Sequence, residues 1–454
     1  MTDSQERELV SLAEKLVQRA LGKGAQIAEA QARAGWELSA RVRLGEPELV
    51  EEAGTKSVAL RVLRDQRVAL TSTSDLSEAG IERAVDDAMA LLELSQPDPA
   101  AGPADPSELA RGDLADLDLY DDGVASIAAD EAIRRATAAE KAALGSDSRI
   151  KLSEGATFSR ATGTSALVLS GGFTGTQRGS YASLSVAPVV EDEGGKRRRG
   201  HYWTGGRHLS LLEADEDVGR EAARRTLAKL GARKVPTCEA PVVFDPDVAR
   251  SLVGTFAGCI LGSAIWRKAS YLVEREGSEV AGKLVTLIDD PLLPRAPGSH
   301  PFDGEGLLAR KNVVVDAGVL KTYLLDCYSA RKLKRTSTGS AARRGGSPSA
   351  STSNFYLVAG NTAAEDIVKQ TKRGLYVTEM MGFGFSAVTG DYSRGAAGFW
   401  IEDGELAYPV GEITVSSNLD TMLKNVDLVG SDLTFKTSTA APTLRVASMT
   451  IAGT

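Results

Sequence analysis

The sequence predicts an α+β protein: N-terminal α/β units followed by a strand-dominated C-terminal domain with a barrel-like or sandwich sheet. Three observations predict it. Near the N-terminus the hydrophobic spacing changes from a helical period to a two-residue period and back. Glycine is abundant, 46 of 454 residues, while aromatics make up only 5%, a composition of turns and close backbone approaches. Beyond Leu284 short β-rich runs are broken by glycine. The length suggests about two or three domains, and 42% hydrophobic with 25% charged residues is a globular balance, not a disordered one.

The elements follow in order. Leu9, Leu12, Ala13, Leu16, Val17 and Ala20 share one helical face, giving a helix over 4–22 with Asp3 as N-cap and Gly22 as stop. Leu38, Ala40, Val42 and Leu44 then alternate with polar residues, as do Val58, Leu60 and Val62, and Val68 and Leu70 after an Asp65-Gln66 turn. Asp75 with Glu78 reads as a capping box opening a helix to Leu94. Residues 1–94 are thus a first α+β unit. The segment 95–122 holds eight acids against one base, Arg111, and four of the 16 prolines, so it reads as an acidic linker. A second α+β unit, 123–233, begins with an Ala-rich helix over 127–144 capped by Ser126. Strands follow between Ile150 and Trp203, turning at Gly171-Gly172 and Gly194-Gly195, and a helix over 215–230 closes the unit. The C-terminal domain, 234–454, opens with a strand at Val242–Phe244. Asp245 and Pro246 then start a helix, since proline suits the first helical position. The apolar run Leu252–Ile265 reads as one buried helix, too short to cross a bilayer. Strands are expected at 313–315, 319–325, 398–401 and 413–415, with a helix over 363–372.

Charge and ligand counts exclude several functions. The net charge of −8 is concentrated in the 95–122 segment, so nothing recommends a nucleic-acid partner. The polar N-terminus lacks the apolar run of a signal, which points to the cytoplasm with no membrane partner. Histidine occurs at 201, 208 and 300 and cysteine at 238, 259 and 327; no two of the six lie within four residues. No local zinc motif or disulfide framework exists, and sparse cysteine fits a reducing compartment. Cys259 reads as an inert buried thiol, and Cys327 as the end of a strand. The basic runs Lys196–Arg199 and 331–344 read as solvated loops, the second continuing into a mobile stretch through Ser353 that would order on a partner. Asp303 and Glu305 form an acid pair in a glycine-rich turn; general acid–base chemistry is the sharper alternative there.

The densest stretch of small and polar residues is 374–415. Gly382, Gly384, Ser386, Thr389, Asp391, Ser393 and Arg394 stand in three short motifs. One reading is a set of tight turns. The other is a backbone-lined groove in which an extended peptide adds as a strand, placed by Asp391 and Arg394.

The runs Lys372–Val377, Val388–Ile401, Tyr408–Val410, Ile288–Pro291 and Phe302–Gly306 resemble the TldD/PmbA family, and specifically its PmbA (TldE) branch. The resemblance covers nearly the whole chain. It implies a non-catalytic subunit of a zinc metalloprotease acting on peptides or unfolded segments. The TldD-like partner would carry His-Glu-x-x-x-His on a helix and hold the zinc. Aligned on that helix, this chain has Val253, Gly254 and Gly258, and no cysteine after Leu433, so the resemblance carries no metal ligand, catalytic residue or cofactor onto this chain. Where the family often has Asn after the Gly-x-Gly-x motif, this chain has Ser386. The implied partners are a TldD-like zinc subunit and an extended peptide, with a homodimer when the chain is alone. The alternative is a stand-alone homo-oligomeric peptide-binding protein without proteolytic activity.

Overall fold

A computed structural model describes residues 2–453. The N-terminal half contains α1 (Thr2–Gly22), β1 (Ile27–Arg43), β2 (Glu46–Arg64), β3 (Arg67–Thr73), α2 (Glu78–Leu94), α3 (Asp122–Ser126), α4 (Ala129–Gly145), β4 (Leu152–Leu169), β5 (Phe173–Glu191), β6 (Arg197–Arg199), β7 (Tyr202–Gly206) and α5 (Asp215–Leu227). The C-terminal half begins with β8 (Cys238–Phe244), α6 (Pro246–Cys259), α7 (Gly262–Trp266), β9 (Leu287–Asp289), β10 (Asn312–Asp316), β11 (Val319–Leu320) and α8 (Cys327–Lys332). It continues with β12 (Ala341–Arg344), β13 (Ser347–Ala350), β14 (Phe355–Leu357), α9 (Ala364–Lys369), β15 (Arg373–Met381), β16 (Asp391–Glu402), β17 (Glu405–Asn418), α10 (Leu419–Lys424), β18 (Val426–Val429), β19 (Thr439–Ala440) and β20 (Leu444–Ala452). Among the described residues no helix is long and apolar enough to cross a membrane.

The two N-terminal units share one antiparallel sheet, ordered β3-β2-β1-β4-β5-β6 with β7 also on β5. The units expected at 1–94 and 123–233 meet in this sheet, where β1 pairs with β4 across the acidic segment. The tight turns suit the strand twist: Leu44-Gly45 and Asp65-Gln66 have positive φ at both central positions. Even-numbered residues of the long strands face the helices, as two-residue alternation requires. Ala28–Ala34, Val58–Val62 and Val168 pack against α1 and α2, while Leu38–Val42, Phe158 and Leu184 pack against α4 and α5. A register row of glycines, Gly35, Gly163 and Gly179, runs between these two layers. Odd-numbered residues, among them Glu29, Arg61, Leu167 and Leu169, turn to the C-terminal half.

That half is built on a closed barrel. β17-β16-β15-β8-β20 run edge to edge and β17 pairs with β20, with β18 appended. A second sheet, β11-β10-β9-β14-β19, lies beside it. α6 buries Val248, Leu252, Val253 and Phe256 in the core that barrel and sheet share. Its start follows the sequence: the Asp245 carboxylate accepts from the Asp247 N–H and Pro246 takes the first turn.

Several expectations are corrected. Ser77, not Asp75, caps α2: its hydroxyl accepts from the Gly80 N–H, and Asp75 instead accepts from Ser77. Ser126 closes α3 rather than opening α4, which starts after Ala128. Asp3 lies within α1 rather than before it. The run Leu252–Ile265 is not one helix; the chain breaks at Ile260 between α6 and α7. Of the expected 319–325 strand only Val319–Leu320 forms a strand, with Leu324 in an isolated bridge to Leu261, and Cys327 opens α8 under an Asp326 cap. Prolines and like charges do not keep 95–122 from packing. Leu109 lies against Phe173, Phe302 and Leu307, and Asp98 accepts from Tyr328 and Lys332. The basic run 331–344 is not a solvated loop. Arg331 donates to Ala100 O at 3.2 Å, Arg335 forks onto Glu276 at 2.5 and 2.7 Å, and Arg343 is buried against Glu29.

Candidate functional site

The turn between β15 and β16 gathers most of the motif residues from 374–415. Gly384 is dictated by contact: a Cβ there would sit 1.8 Å from Ser393 O, while the Ser393 N–H donates to Gly384 O at 2.7 Å. Ser386 donates its N–H to Asp391 O and accepts from the Gly390 N–H at 2.7 Å. The Thr389 hydroxyl donates to Asp391 Oδ2 at 2.6 Å, and the Asn418 amide donates to Thr389 O and Asp391 Oδ1. The Thr389 hydroxyl, with Asn418, holds the Asp391 carboxyl below its usual range. Ser393 meets Ser416 across the β16–β17 ladder at 3.0 Å. Gly382, at φ +77°, sits apart on the open side of the turn, beside a fully exposed Phe383. These contacts are internal and make a stiff hairpin end.

The strand-addition mode expected for this stretch is not available at β16. β17 takes one edge, and the other is taken by β15 from Gly395 onward and by the turn residues Gly384–Ser386 beside Asp391–Ser393. Arg394 behaves differently from its neighbours. It shares a strand face with Tyr392 and Ala396, both core residues. Its Nε is buried with no hydrogen-bond partner, as are the hydroxyls of Tyr392 and Tyr271. The Tyr271 N–H donates to Ala387 O at 2.8 Å, tying the hairpin end to the segment just after α7. There the Ser270 hydroxyl donates to Cys259 O at 2.7 Å.

On α6 itself, the positions set against His-Glu-x-x-x-His do not fit a metal. Val253 is 2% exposed within the apolar core, and Gly254 and Gly258 offer no donor. A Cβ at Gly258 would meet nothing within 4 Å, so the place for a ligand exists but the ligand does not. Cys259 is buried; burial pushes its thiol up to about 11, far from the thiolate that binds metal. Among the described residues no three His, Cys, Asp or Glu side chains gather as a metal site.

The acid pair of the glycine-rich turn is structural in its contacts. Asp303 accepts from the N–H groups of Glu305, Leu307 and Ala341, and Glu305 accepts from the Cys327 N–H at 2.8 Å. Burial pushes both carboxyls up. His208 and His300 bond to the carbonyls of Asp118 and Gly298. His201 lines a cavity of about 530 Å³ with Lys229, Asp245, Tyr376 and Phe399. Sequence reasoning missed that cavity, because its walls come from segments far apart in the chain and no local motif marks it.

Known proteins match along nearly the whole chain. Profiles of the PmbA/TldA metallopeptidase family match domain 1 at 28–92, the central domain at 122–230 and the C-terminal domain at 237–453. The metalloprotease PmbA of Escherichia coli O157:H7 is 38% identical over 416 residues, spanning 92% of this chain and 90% of its own. The crystal structure of a Bacteroides thetaiotaomicron protein, described as a candidate modulator of DNA gyrase, superposes with a TM-score of 0.91 at 28% identity over 98% of both chains. That of TldE from Thermococcus kodakarensis superposes with a TM-score of 0.86 at 21% identity, over 97% of this chain and 100% of its own. The chain belongs to the PmbA/TldD metallopeptidase family, in its PmbA (TldE) branch.

Proposed function

We propose that the chain is the non-catalytic, TldE-type subunit of a TldD/TldE-type zinc protease that acts on peptides or unfolded segments. One observation carries this reading: the α6 face that would present ligands holds Val253, Gly254 and Gly258, and none of them can bind a metal. Zinc-assisted hydrolysis needs three protein ligands and a general base beside an activated water. A relative named a metalloprotease supports a role in proteolysis, and the lack of ligands at Val253, Gly254 and Gly258 supports a TldD-like partner as the holder of the metal. This chain would contribute the hairpin end at Gly382–Arg394 to peptide handling.

The test compares the chain alone with the chain co-purified with its TldD-like partner. The expected result is no stoichiometric zinc and no cleavage for the chain alone, with zinc and chelator-sensitive peptide cleavage in the pair. Stoichiometric zinc with chelator-sensitive cleavage by the chain alone would overturn the reading.

A further inference from the structure

We infer that Arg394, with the hydroxyl of Tyr392 beside it, is a recognition site for a peptide carboxylate at the end of the C-terminal barrel. The inference rests on the peptide-handling reading above and names the group that is recognised.

Arg394 is half-buried, meets no carboxylate or carbonyl among the described residues, and its Nε is shut away from water without a partner. Tyr392 is 2% exposed and its hydroxyl is also unpartnered. Buried polar atoms are bonded in the great majority of cases, so unpaired ones mark unfinished contacts. Arg394 and Tyr392 are close enough for the guanidinium charge to act on the phenol. Nearby, the Tyr271 hydroxyl lacks a partner as well.

The chemistry of the shortfall identifies the ligand. A guanidinium only donates, and a phenol beside a cation is best used as a donor. What is absent is an acceptor with more than one oxygen and a negative charge. A planar carboxylate matches the guanidinium fork in two parallel bonds and leaves an oxygen lone pair for the phenol. The chain's own acids do not supply it. Asp391, three residues before Arg394, projects from the opposite face of β16 and spends its oxygens on Thr389 and Asn418. With one edge of β16 paired to β17 and the other met by β15 and the turn residues Gly384–Ser386, side-chain recognition of a charged group replaces backbone pairing as the way this segment holds a peptide.

The test uses the full chain and three labelled peptides of one sequence: with a free C-terminal carboxylate, with an amidated C-terminus, and amidated with one internal Glu. Binding is read by fluorescence anisotropy. The free acid is expected to bind about tenfold more tightly than the plain amide, as charge-assisted bidentate pairs do. Arg394→Gln should erase that difference, Tyr392→Phe should narrow it, and Arg394→Lys should keep part of it. Equal gains from the Glu peptide and the free acid would assign the site to any carboxylate, and a gain from the free acid alone would assign it to chain ends. Equal affinity for all three peptides, or a preference that survives Arg394→Gln, overturns the inference and leaves peptide handling standing. Failure to bind any of the three overturns the peptide-handling reading as well. Thermal unfolding of Arg394→Gln at the wild-type midpoint shows that any lost preference is not lost folding.

Discussion

Two arginines, one buried and one half-buried with its Nε shut away from water, have opposite fates in this molecule. Arg343, on β12 at the boundary between the N-terminal sheet and the C-terminal half, is 4% exposed and fully engaged. It donates to Gly304 O, to Gly346 O at 2.9 Å and to the Glu29 carboxylate, which also accepts from Arg61 at 2.9 Å. Burial pushes the Glu29 carboxyl up, but the charges of Arg343 and Arg61 more than offset this and hold it below its usual range. Arg394 has no such set. The difference separates a charge that the fold uses from a charge that the fold exposes to a ligand. Leaving a buried donor unsatisfied costs free energy, and a protein bears that cost where a ligand completes the contact.

The same substitution at both places breaks or sharpens the contrast. Arg343→Met should give the largest effect. It leaves Glu29 buried with Arg61 alone and strips two carbonyls of their donor, a loss of about 3–5 kcal/mol for a broken buried pair. Denaturant unfolding measures it, and a loss under about 1 kcal/mol would show that the interface is held elsewhere. Stability from Glu29 is present above the ordinary carboxylate pKa and fades as pH falls through its lowered value.

Next in size is Gly384→Ala. Its Cβ would strike Ser393 O, so the hairpin end must shift at a cost of about 1–3 kcal/mol. Gly382→Ala meets nothing within 4 Å and faces only the backbone strain of φ +77°, about 1–2 kcal/mol. Thermal midpoints that rank the other way would mean that the turn is not the stiff element described.

Glu305→Gln should give a smaller, pH-dependent change. Burial, then the charge of Asp303, raises the Glu305 carboxyl, opposed by the Cys327 N–H. A raised carboxyl contributes its stability below the ordinary carboxylate pKa, and that contribution is lost as pH rises through the folded value. The wild type should therefore lose stability from this site between roughly pH 5 and pH 8, and Glu305→Gln should flatten that slope by about 1 kcal/mol. An unchanged slope would break the assignment. The sign is opposite to that of Glu29, so the two buried acids can be told apart in one titration.

What the sequence reveals of all this depends on distance along the chain. The Asp65-Gln66 turn and the Asp245-Pro246 helix start are local chemistry and are visible in a few residues. The cap of α2 is local too, yet Ser77 displaces Asp75 because Asp75 is engaged by the Ser77 hydroxyl. The fused sheet is not visible, since β1 meets β4 across more than a hundred residues and alternation alone carries no register. Nor is the fate of the basic run, whose acceptors Glu29, Asp98 and Glu276 lie in distant segments. At the candidate site the motif singles out Arg394, but a motif states which residues are present. Only the barrel, by turning Asp391 to the opposite face of β16, leaves that arginine without a carboxylate.

The smallest expected effect closes the contrast. Arg394→Met keeps the length and apolar stem of the side chain and removes a guanidinium that meets no carboxylate among the described residues and whose Nε has no partner. The stem can still lie along Tyr392 and Ala396, so packing is conserved. No carbonyl or carboxylate loses a donor, and one unsatisfied Nε disappears. Stability should thus change by no more than about 0.5 kcal/mol, or rise slightly. Arg343→Met, with the same atoms exchanged, should cost several times more. A loss at Arg394 comparable to that at Arg343 would mean that the chain already supplies its counter-charge. A neutral Arg394→Met that also loses the preference for a free carboxylate would show a side chain kept for binding and not for folding.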